Sequence, residues 1–506
     1  MKVRLQIGIA FPIAMLSSVL LAQAPPASPT GGITYANPIP TSGRTGQTGS
    51  VTPQQSAVPG TTQSVNTLNA TVSIQGPYGQ SVLSGKPLEG ELSLREAVER
   101  GIAYNLGAIG LGNNAMQAHG QMRVARSSLL PNVNGSFREV DQQTDLAAQG
   151  LRFPSVPAIV GPYNYFDLRA TLNQTVLDFA AMNNYRSAQE NLQAARMAQK
   201  DARDLVVLAV GGAYLQVIAA QARVNSATAQ VATAKAVWEQ VKQRREVGLN
   251  AQIDVNRNFV EYQTQQQRLT TLQNDLAKQK INLLRIIGLP ASTPLELADG
   301  VPFAAAPEVS YDSALHQALD ARPDVKSAEA AYKSAQRTHS AAKSERLPTL
   351  AVAGDYGLIG TNPSQSHGTF SVTGTVRFPI WQGGRTEGDI EEATASLIQR
   401  QAELSEVRGR VESDVKNAFL DLDAATSQLQ VAESNRQVAK ENLDLTRQRL
   451  EAGIADAVEV TQAQETAATA ELDYITSLLA HNLAKLSLAK ALGNPEQKLS
   501  QYLALP

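Results

Sequence analysis

The chain has 506 residues and a formal net charge of −2, its aromatic residues make up 5% of the sequence, and it contains no cysteine. Few aromatic side chains together with abundant Ala, Gln, Leu and Glu indicate long helices rather than a bulky globular core. The balanced charge gives no basic field, so we expect no nucleic-acid partner. The lack of cysteine excludes disulfides, thiol catalysis, thiolate metal sites and an acylated N-terminal cysteine.

The N-terminus has the features of a secretory signal peptide, which we place at residues 1–24. A basic start is followed by an apolar run at 7–21 and by the small-residue site Ala22-Gln23-Ala24. The run is about 15 residues long, which is short for the alternative, a membrane anchor. Residues 25–90 are rich in Pro, Gly, Ser, Thr and Gln, a composition typical of a flexible segment. Within them, 70–74 is a candidate extended stretch docked on the rest of the chain.

The sequence repeats itself at two fixed offsets. Val247-Gly248-Leu249 and Ala452-Gly453-Ile454 are 205 residues apart, and a second register, offset by 217 residues, relates 127–131 to 344–348. A unit of this length is too long for a short-period solenoid and predicts two equivalent halves that lie side by side. We place the first half at 91–290 and the second half at 311–495. A linker at 291–310 joins them, and 496–506 form the C-terminal tail.

Each half shows helical periodicity in three segments, separated by breaks that contain proline or glycine. The predicted helices are 94–128, 180–247 and 252–287 in the first half and 311–346, 385–452 and 456–492 in the second. The middle helix of each half would be about 100 Å long, and the two shorter ones placed end to end would nearly match it. Helices of that length must be buried against one another. The apolar stretch 205–220 is too short for a membrane span and predicts a buried helical contact.

Alternating apolar and polar residues predict two strands between the first and second helices of each half. The predicted strands lie near 132–138, 165–177, 350–358 and 369–378. Strands of about ten residues with aromatic residues near their ends are typical of a transmembrane β-barrel, although an ordinary half-buried sheet alternates as well. Four strands cannot close a barrel, and hydrocarbon does not tolerate open sheet edges. In a membrane, several chains must therefore share one barrel, and these patterns do not choose between two, three and four.

Taken together, these features resemble the TolC-like outer-membrane efflux family. The resemblance is carried by Val247-Gly248-Leu249 with Asp254, by Ala452-Gly453-Ile454 with Glu459, and by the strand-to-helix junction Phe378-Pro379-Ile380-Trp381-Gln382-Gly383-Gly384-Arg385. It implies a mainly α fold with a transmembrane β-barrel portion. In that family, a homotrimer forms a twelve-stranded barrel in outer-membrane lipid, continuous with a twelve-helix periplasmic tunnel.

The resemblance also implies a passive exit duct of a tripartite efflux or type I secretion system. Such a duct docks onto a periplasmic adaptor and an inner-membrane pump of the RND or ABC type. Carried over to this chain, the turns that meet the adaptor consist of Val247, Gly248, Leu249, Ala452, Gly453 and Ile454. Asp254 and Glu459 would then belong to a periplasmic gate with an acidic ring. Leu450, Ala455 and Gln462 depart from the family's best-studied member, so its polar latch is absent or rebuilt here.

Simpler interpretations stand beside these. Gly248 and Gly453 fit the left-handed residue that commonly follows a helix, and Asp254 and Glu459 fit acidic residues favoured in a first helical turn. The alternative function is a soluble periplasmic coiled-coil structural or adaptor protein, which would leave the alternating strands unexplained. We expect no enzyme activity, cofactor or metal site, because the five histidines are scattered and no catalytic constellation is evident.

Overall fold

The computed structural model describes residues 50–57, 68–83, 86–88, 90–151, 156–300, 309–452, 454–455, 457–493, 495–496 and 502–503. The predicted signal peptide at 1–24 and Gly453 lie outside the described residues. So do residues 301–308 of the predicted linker and most of the tail at 496–506.

Within the described ranges each half contains four α-helices, and corresponding helices have nearly the same length. In the first half they are α1 (Leu94–Tyr104), α2 (Leu106–Ser127), α3 (Phe179–Glu246) and α4 (Gln252–Ile286). In the second half they are α5 (Tyr311–Ala321), α6 (Pro323–Ser344), α7 (Arg385–Glu451) and α8 (Ala457–Ala491). The long helices α3 and α7 have 68 and 67 residues, so each is about 100 Å long.

The structure divides the first predicted helix of each half into two, which corrects the single helices expected at 94–128 and 311–346. The breaks lie at Asn105 and Arg322, whose backbones are extended. Asn105 Oδ1 accepts a hydrogen bond from the backbone N–H two residues later, at 2.9 Å, and so begins α2 as an N-cap. Arg322 precedes Pro323, and a proline disfavours the helical conformation in the residue before it.

The long helices have different neighbours along their length. Near the strands α3 packs against α2 and α6, and further along it packs against α4 and α8. In the same way, α7 packs first against α6 and then against α8. The helices therefore lie side by side in the order α2–α3–α6–α7 at one level and α4–α3–α8–α7 at the other. Each long helix is flanked by shorter helices that follow one another along it.

The N-terminal segment contains a pair of strands, so the segment 25–90, which we expected to be flexible apart from 70–74, also contains an ordered strand at 51–57. β1 (Val51–Ala57) and β2 (Leu68–Ile74) are antiparallel and pack against α3 and α8. β2 includes the stretch that we expected to be docked. A Cβ on Gly212 of α3 would lie 2.5 Å from Val72 Cγ2, so only a glycine permits this close approach.

Four strands form one antiparallel sheet in chain order, namely β3 (Asn132–Asp145), β4 (Ile159–Leu177), β5 (Thr349–Gly360) and β6 (His367–Arg377). The pairing of β4 with β5 joins the two halves. All four strands lie where the alternation predicted them. β3 and β4 are longer than 132–138 and 165–177, because their outer ends continue to pair through sequence in which apolar and polar residues do not alternate.

The largest apolar core forms where α3 meets α1, α4 and α8. Residues 205–220 of α3 lie in it, and Gly211 there faces Leu486 of α8. Among the described residues, α3 is the one helix long and apolar enough to cross a membrane, and 78% of its apolar window is buried. The predicted buried helical contact is therefore confirmed.

Candidate functional site

The sheet has one apolar face, and that face is exposed. Phe370, Val372 and Leu168 are 77%, 74% and 50% exposed. The register places Leu168 beside Phe137 of β3 and Leu358 of β5, so apolar side chains form a continuous surface across strands. The predicted alternation is confirmed, and a surface of this kind suits contact with hydrocarbon.

The opposite face of the sheet is polar, and Arg169 of β4 links three strands on it. The Arg169 guanidinium lies 3.2 Å from the Asp167 carboxylate and forms an ion pair with Asp355 of β5. It also donates a hydrogen bond to Thr369 Oγ1 of β6 at 3.0 Å. Ser371 donates to the same Asp355 carboxylate. Residues of both halves thus hold the strands in register and give this face its charge.

The junction between β6 and α7 is exposed and apolar. Phe378, Ile380 and Trp381 are 66%, 95% and 86% exposed. Gly383 and Gly384 follow with φ of +64° and +86°, a left-handed conformation that glycine adopts most readily. Exposed aromatic side chains at the end of a strand are typical of the boundary between hydrocarbon and water.

The turn between α3 and α4 contains the predicted residues Val247, Gly248 and Leu249. Gly248 has a φ of +81°, and the Leu249 N–H closes the turn by donating to the carbonyl of Arg244 at 2.8 Å. Val247 and Leu249 are 71% and 74% exposed. Asp254 accepts a hydrogen bond from the backbone N–H three residues before it, at 3.3 Å, so it caps the start of α4.

The turn between α7 and α8 closes in the same way. The Ile454 N–H donates to the carbonyl of Arg449 at 2.8 Å, which is the hydrogen bond of the first turn displaced by the repeat offset. Ala452 and Ile454 are exposed, the latter by 70%. Glu459, in the first turn of α8, forms an ion pair with Arg449 at 3.2 Å. Each predicted acidic residue is therefore engaged at its own turn.

An apolar cluster joins the two turns, and the sequence analysis did not identify it. Leu450 and Val460 from the second half pack there with Val241 and Val255 from the first, and Ala455 lies against them. Two of the positions that depart from the family pattern thus lie in this cluster. Arg244 Nη2 also donates a hydrogen bond to the Leu450 carbonyl at 3.1 Å, so the two turns meet through apolar packing and one polar contact.

A buried group of charges lies beside the break between α5 and α6. Arg322 Nη2 lies 2.7 Å from Asp324 and 3.0 Å from Asp414. Although burial opposes it, the hydrogen bond and charge of Arg322 lower the pKa of Asp324. On α3, burial raises the pKa of Asp204 to about 7, with the nearby Asp201 carboxylate as the second cause. In the described ranges no cluster of three or more His, Asp or Glu side chains is arranged to hold a metal ion.

Comparison with known proteins gives the family. The sequence model of the family described as outer membrane efflux protein matches residues 113–289 and 314–494, one segment in each half. The toluene efflux pump outer membrane protein TtgF of Pseudomonas putida is 24% identical over 392 residues, 75% of this chain and 78% of that protein. The outer membrane protein TolC of Vibrio cholerae is 23% identical over 378 residues, 70% of this chain and 82% of that protein.

Solved structures share the fold. The CmeC outer membrane channel of Campylobacter jejuni aligns with a TM-score of 0.69 at 16% identity, covering 81% of this chain and 89% of CmeC. VceC, an outer membrane protein of Vibrio cholerae, aligns with a TM-score of 0.67 at 17% identity, covering 79% and 96%. These comparisons confirm the TolC-like resemblance and the outer-membrane location, in a family of efflux channels rather than enzymes. The chain belongs to the outer membrane efflux protein family.

Proposed function

We propose that the chain is an outer-membrane exit duct that conducts substrates passively in a tripartite efflux or type I secretion system. The observation that carries this proposal is the continuity of the sheet with the long helices, since β4 leads into α3 and β6 into α7. A sheet with one apolar and one polar face suits a wall between lipid and water. Helices about 100 Å long extend that wall beyond the membrane.

Closure of this wall requires several copies, and we infer a homotrimer. β3 and β6 are the outer strands of the sheet, so each leaves an edge unpaired within the part of the chain that the structure describes. Such edges are not tolerated in hydrocarbon. Three four-stranded sheets give a twelve-stranded barrel. At the level of the turns, α3, α4, α7 and α8 of three copies give a twelve-helix tunnel.

The two turns are the proposed contact with a periplasmic adaptor, which would connect the duct to an inner-membrane pump of the RND or ABC type. Val247, Leu249 and Ile454 are at least 70% exposed and offer apolar contacts at the end of the helices. Following the family resemblance, we include Gly248, Ala452 and Gly453 in this proposed surface and propose Asp254 and Glu459 as gate residues. Three symmetry-related copies of Glu459 would attract cations at such a narrowing.

The native mass of protein extracted in detergent from outer membranes tests the trimer. A stable species near three times the chain mass of 54.0 kDa supports it, with a small reduction if the signal peptide is removed. A water-soluble monomer or dimer, absent from the membrane fraction, would overturn the barrel. That result would favour the soluble periplasmic coiled-coil protein instead.

Disulfide cross-linking tests closure more sharply, because the chain has no cysteine of its own. Pairs of cysteines, one along 134–138 of β3 and one along 370–374 of β6, should give covalent dimers and trimers and nothing larger. A pair placed on β3 alone is the matched control. A ladder that continues beyond three chains would contradict a closed trimer.

A further inference from the structure

A cavity of about 590 Å³ lies along the seam between α3 and α8, with α4 and α7 as its side walls. We call it the seam cavity. It begins at Leu215 and Leu479, beside the main core, and extends towards the turns as far as Ala234 of α3. Its volume falls within the range of about 300–1,000 Å³ that is usual for small-molecule sites.

Small and apolar side chains form the end of the cavity nearest the core. Leu215, Ile218 and Leu479 line this end, and Ala222 follows one turn further along α3. Ala467 of α8 also lines the cavity, about 18 Å before Leu479 and nearer the turns. Such a surface takes the hydrocarbon or aromatic body of a ligand, because removing apolar area from water is favourable.

Single amide atoms without a hydrogen-bond partner among the described residues lie in the cavity wall. Gln265 and Asn482 are 8% and 2% exposed, and neither Gln265 Oε1 nor Asn482 Oδ1 has a hydrogen-bond partner among the described residues. The same holds for Gln230 Oε1 of α3 and Gln464 Nε2 of α8. Buried amide atoms without partners are rare in folded proteins. Asn482 is 18 residues from Gln464 along α8, about 27 Å, so one drug-sized ligand reaches only the three glutamines at the end nearest the turns. Three such atoms in this part of the cavity indicate a polar occupant that bonds to them.

The outer rim of the cavity is charged, and one cation there has no counter-ion. Arg436 pairs with Glu433 and Glu471 at 3.0 and 3.7 Å and lies 4.0 Å from the centre of the Tyr474 ring. Lys440, one turn further along α7, also lines the cavity, and no carboxylate of the described residues lies within ion-pair distance of its Nζ. An anionic group of a ligand would therefore be bound at Lys440.

We propose that the seam cavity binds an amphiphilic organic acid of drug-like size. The apolar body lies between α3 and α8 from Ala222 towards Ala467, its polar groups bond to the Gln230 and Gln265 amides, and its carboxylate faces Lys440. The proposal adds a ligand site in the helical wall to the exit duct, and it stands independently of adaptor, pump and gate.

The test uses the full chain in lipid nanodiscs and trifluoromethyl-naphthoic acid as the probe, with binding followed by fluorine NMR and empty nanodiscs as the blank. We expect saturable binding of one probe per chain. Ala222→Phe and Ala467→Phe fill the cavity from opposite helices, and each should weaken binding at least tenfold without lowering the melting temperature. Absence of saturable binding to the wild-type protein, or full binding by both folded variants, would overturn the proposal.

The position of the acid is tested with a matched pair of probes and lysines. Lys440→Gln should weaken binding of the naphthoic acid about fivefold to tenfold and leave the corresponding naphthyl alcohol unaffected. Lys235→Gln, which removes an exposed lysine that pairs with Glu239 outside the cavity, is the control and should change neither. An equal loss for acid and alcohol in Lys440→Gln would contradict the assignment of the anionic end.

Discussion

The two halves divide their first helix at equivalent positions, and each does so with different chemistry. Asn105 and Arg322 are 217 residues apart, which is one of the two repeat offsets. Asn105 is neutral and buried, and its Nδ2 donates to the Tyr78 carbonyl at 2.7 Å. Arg322 is 4% exposed and pairs with the carboxylates of Asp324 and Asp414. The bend therefore belongs to the repeated architecture, whereas the groups that stabilise it depend on what each half packs against.

The two halves end α4 and α8 in the same way, each with a glycine in the left-handed conformation. Gly288 and Gly493 have φ of +78° and +84°. A Cβ on Gly288 would lie 2.6 Å from the Val82 carbonyl oxygen, and one on Gly493 would lie 2.9 Å from Arg322 Cα. Both halves therefore keep a close backbone approach at this glycine, although their polar contacts at Asn105 and Arg322 differ.

Replacing Arg322 is expected to have the largest effect on this comparison. Arg322→Met should lower the free energy of unfolding by about 3–4 kcal/mol, because the half-buried carboxylates of Asp324 and Asp414 lose the buried cation that they share. Asn105→Ala leaves only neutral partners unpaired and should cost about 2 kcal/mol. Thermal melting in detergent, followed by circular dichroism, ranks the two variants. Removing the Asp324 and Asp414 carboxylates as well should restore part of the stability lost in Arg322→Met, but none of that lost in Asn105→Ala. Equal losses of stability in Arg322→Met and Asn105→Ala would contradict the difference between the two halves.

The glycine substitutions should follow in size. Gly288→Ala and Gly493→Ala are each expected to cost about 3 kcal/mol, since a left-handed backbone and a steric clash add together. Gly248→Ala is the matched control, because its φ is +81° but nothing lies within 4 Å of a Cβ there. It should cost only about 1 kcal/mol in the same melting experiment. A loss at Gly248 as large as at the other two would mean that backbone conformation alone, and not close approach, explains the effect.

The pH dependence of stability is expected to differ between a carboxyl group on α3 and one on α7. The folded-state pKa of Asp204 is raised from 3.8 to about 7. Stability from this group is therefore full below about pH 3.8 and is lost as pH rises through about 7. From pH 5 to pH 8, wild type should lose about 2 kcal/mol relative to Asp204→Asn.

The control for this titration lies on α7, in the segment that corresponds to 201–204 of α3. There Glu406 is exposed, and its hydrogen bond with Arg410 is the main cause that lowers its pKa. Glu406→Gln should consequently leave the melting profile between pH 5 and pH 8 unchanged. Parallel profiles for wild type and Asp204→Asn would show that the buried carboxyl does not titrate in this range.

The smallest effects are expected at the two turns, where stability and conduction should respond differently. Glu459→Gln removes an exposed ion pair with Arg449 and should change stability by less than about 1 kcal/mol. In planar bilayers the same variant should lower the preference for cations over anions a few-fold, as expected for loss of an acidic ring. Asp254→Asn, which acts on the start of α4, should leave that preference unchanged. Equal shifts for both variants would mean that the two turns contribute alike.

The sequence was most informative where a local pattern persists over many residues. The long helices predicted at 180–247 and 385–452 lie within one residue of their expected positions, and all four strands of the sheet overlap theirs. The break at Asn105 had no proline to signal it, and its hydrogen-bond partner Tyr78 is 27 positions away. At Arg322 the following proline was a usable signal that the single-helix prediction did not take into account.

The candidate site was harder to predict because its contacts join distant segments. The ion pair of Arg169 with Asp355 spans 186 positions and that of Arg322 with Asp414 spans 92. Periodicity identifies which face a side chain occupies but not the residue opposite. The exposed turns were identified because both copies of the repeat display them, whereas the apolar cluster around Leu450 became visible only once the halves were packed together.

Because α3 and α7 are uninterrupted, the distance between the sheet and the turns can change during evolution only in restricted ways. One residue inserted into an α-helix advances everything beyond it by about 1.5 Å and turns it by about 100°. A single insertion in α3 would therefore rotate its turn away from α8 and misalign the seam. Register is regained only after about seven residues, and α4, α7 and α8 must lengthen by the same amount. The distance between membrane and turns is thus available in discrete steps, each of which requires coordinated changes in four helices.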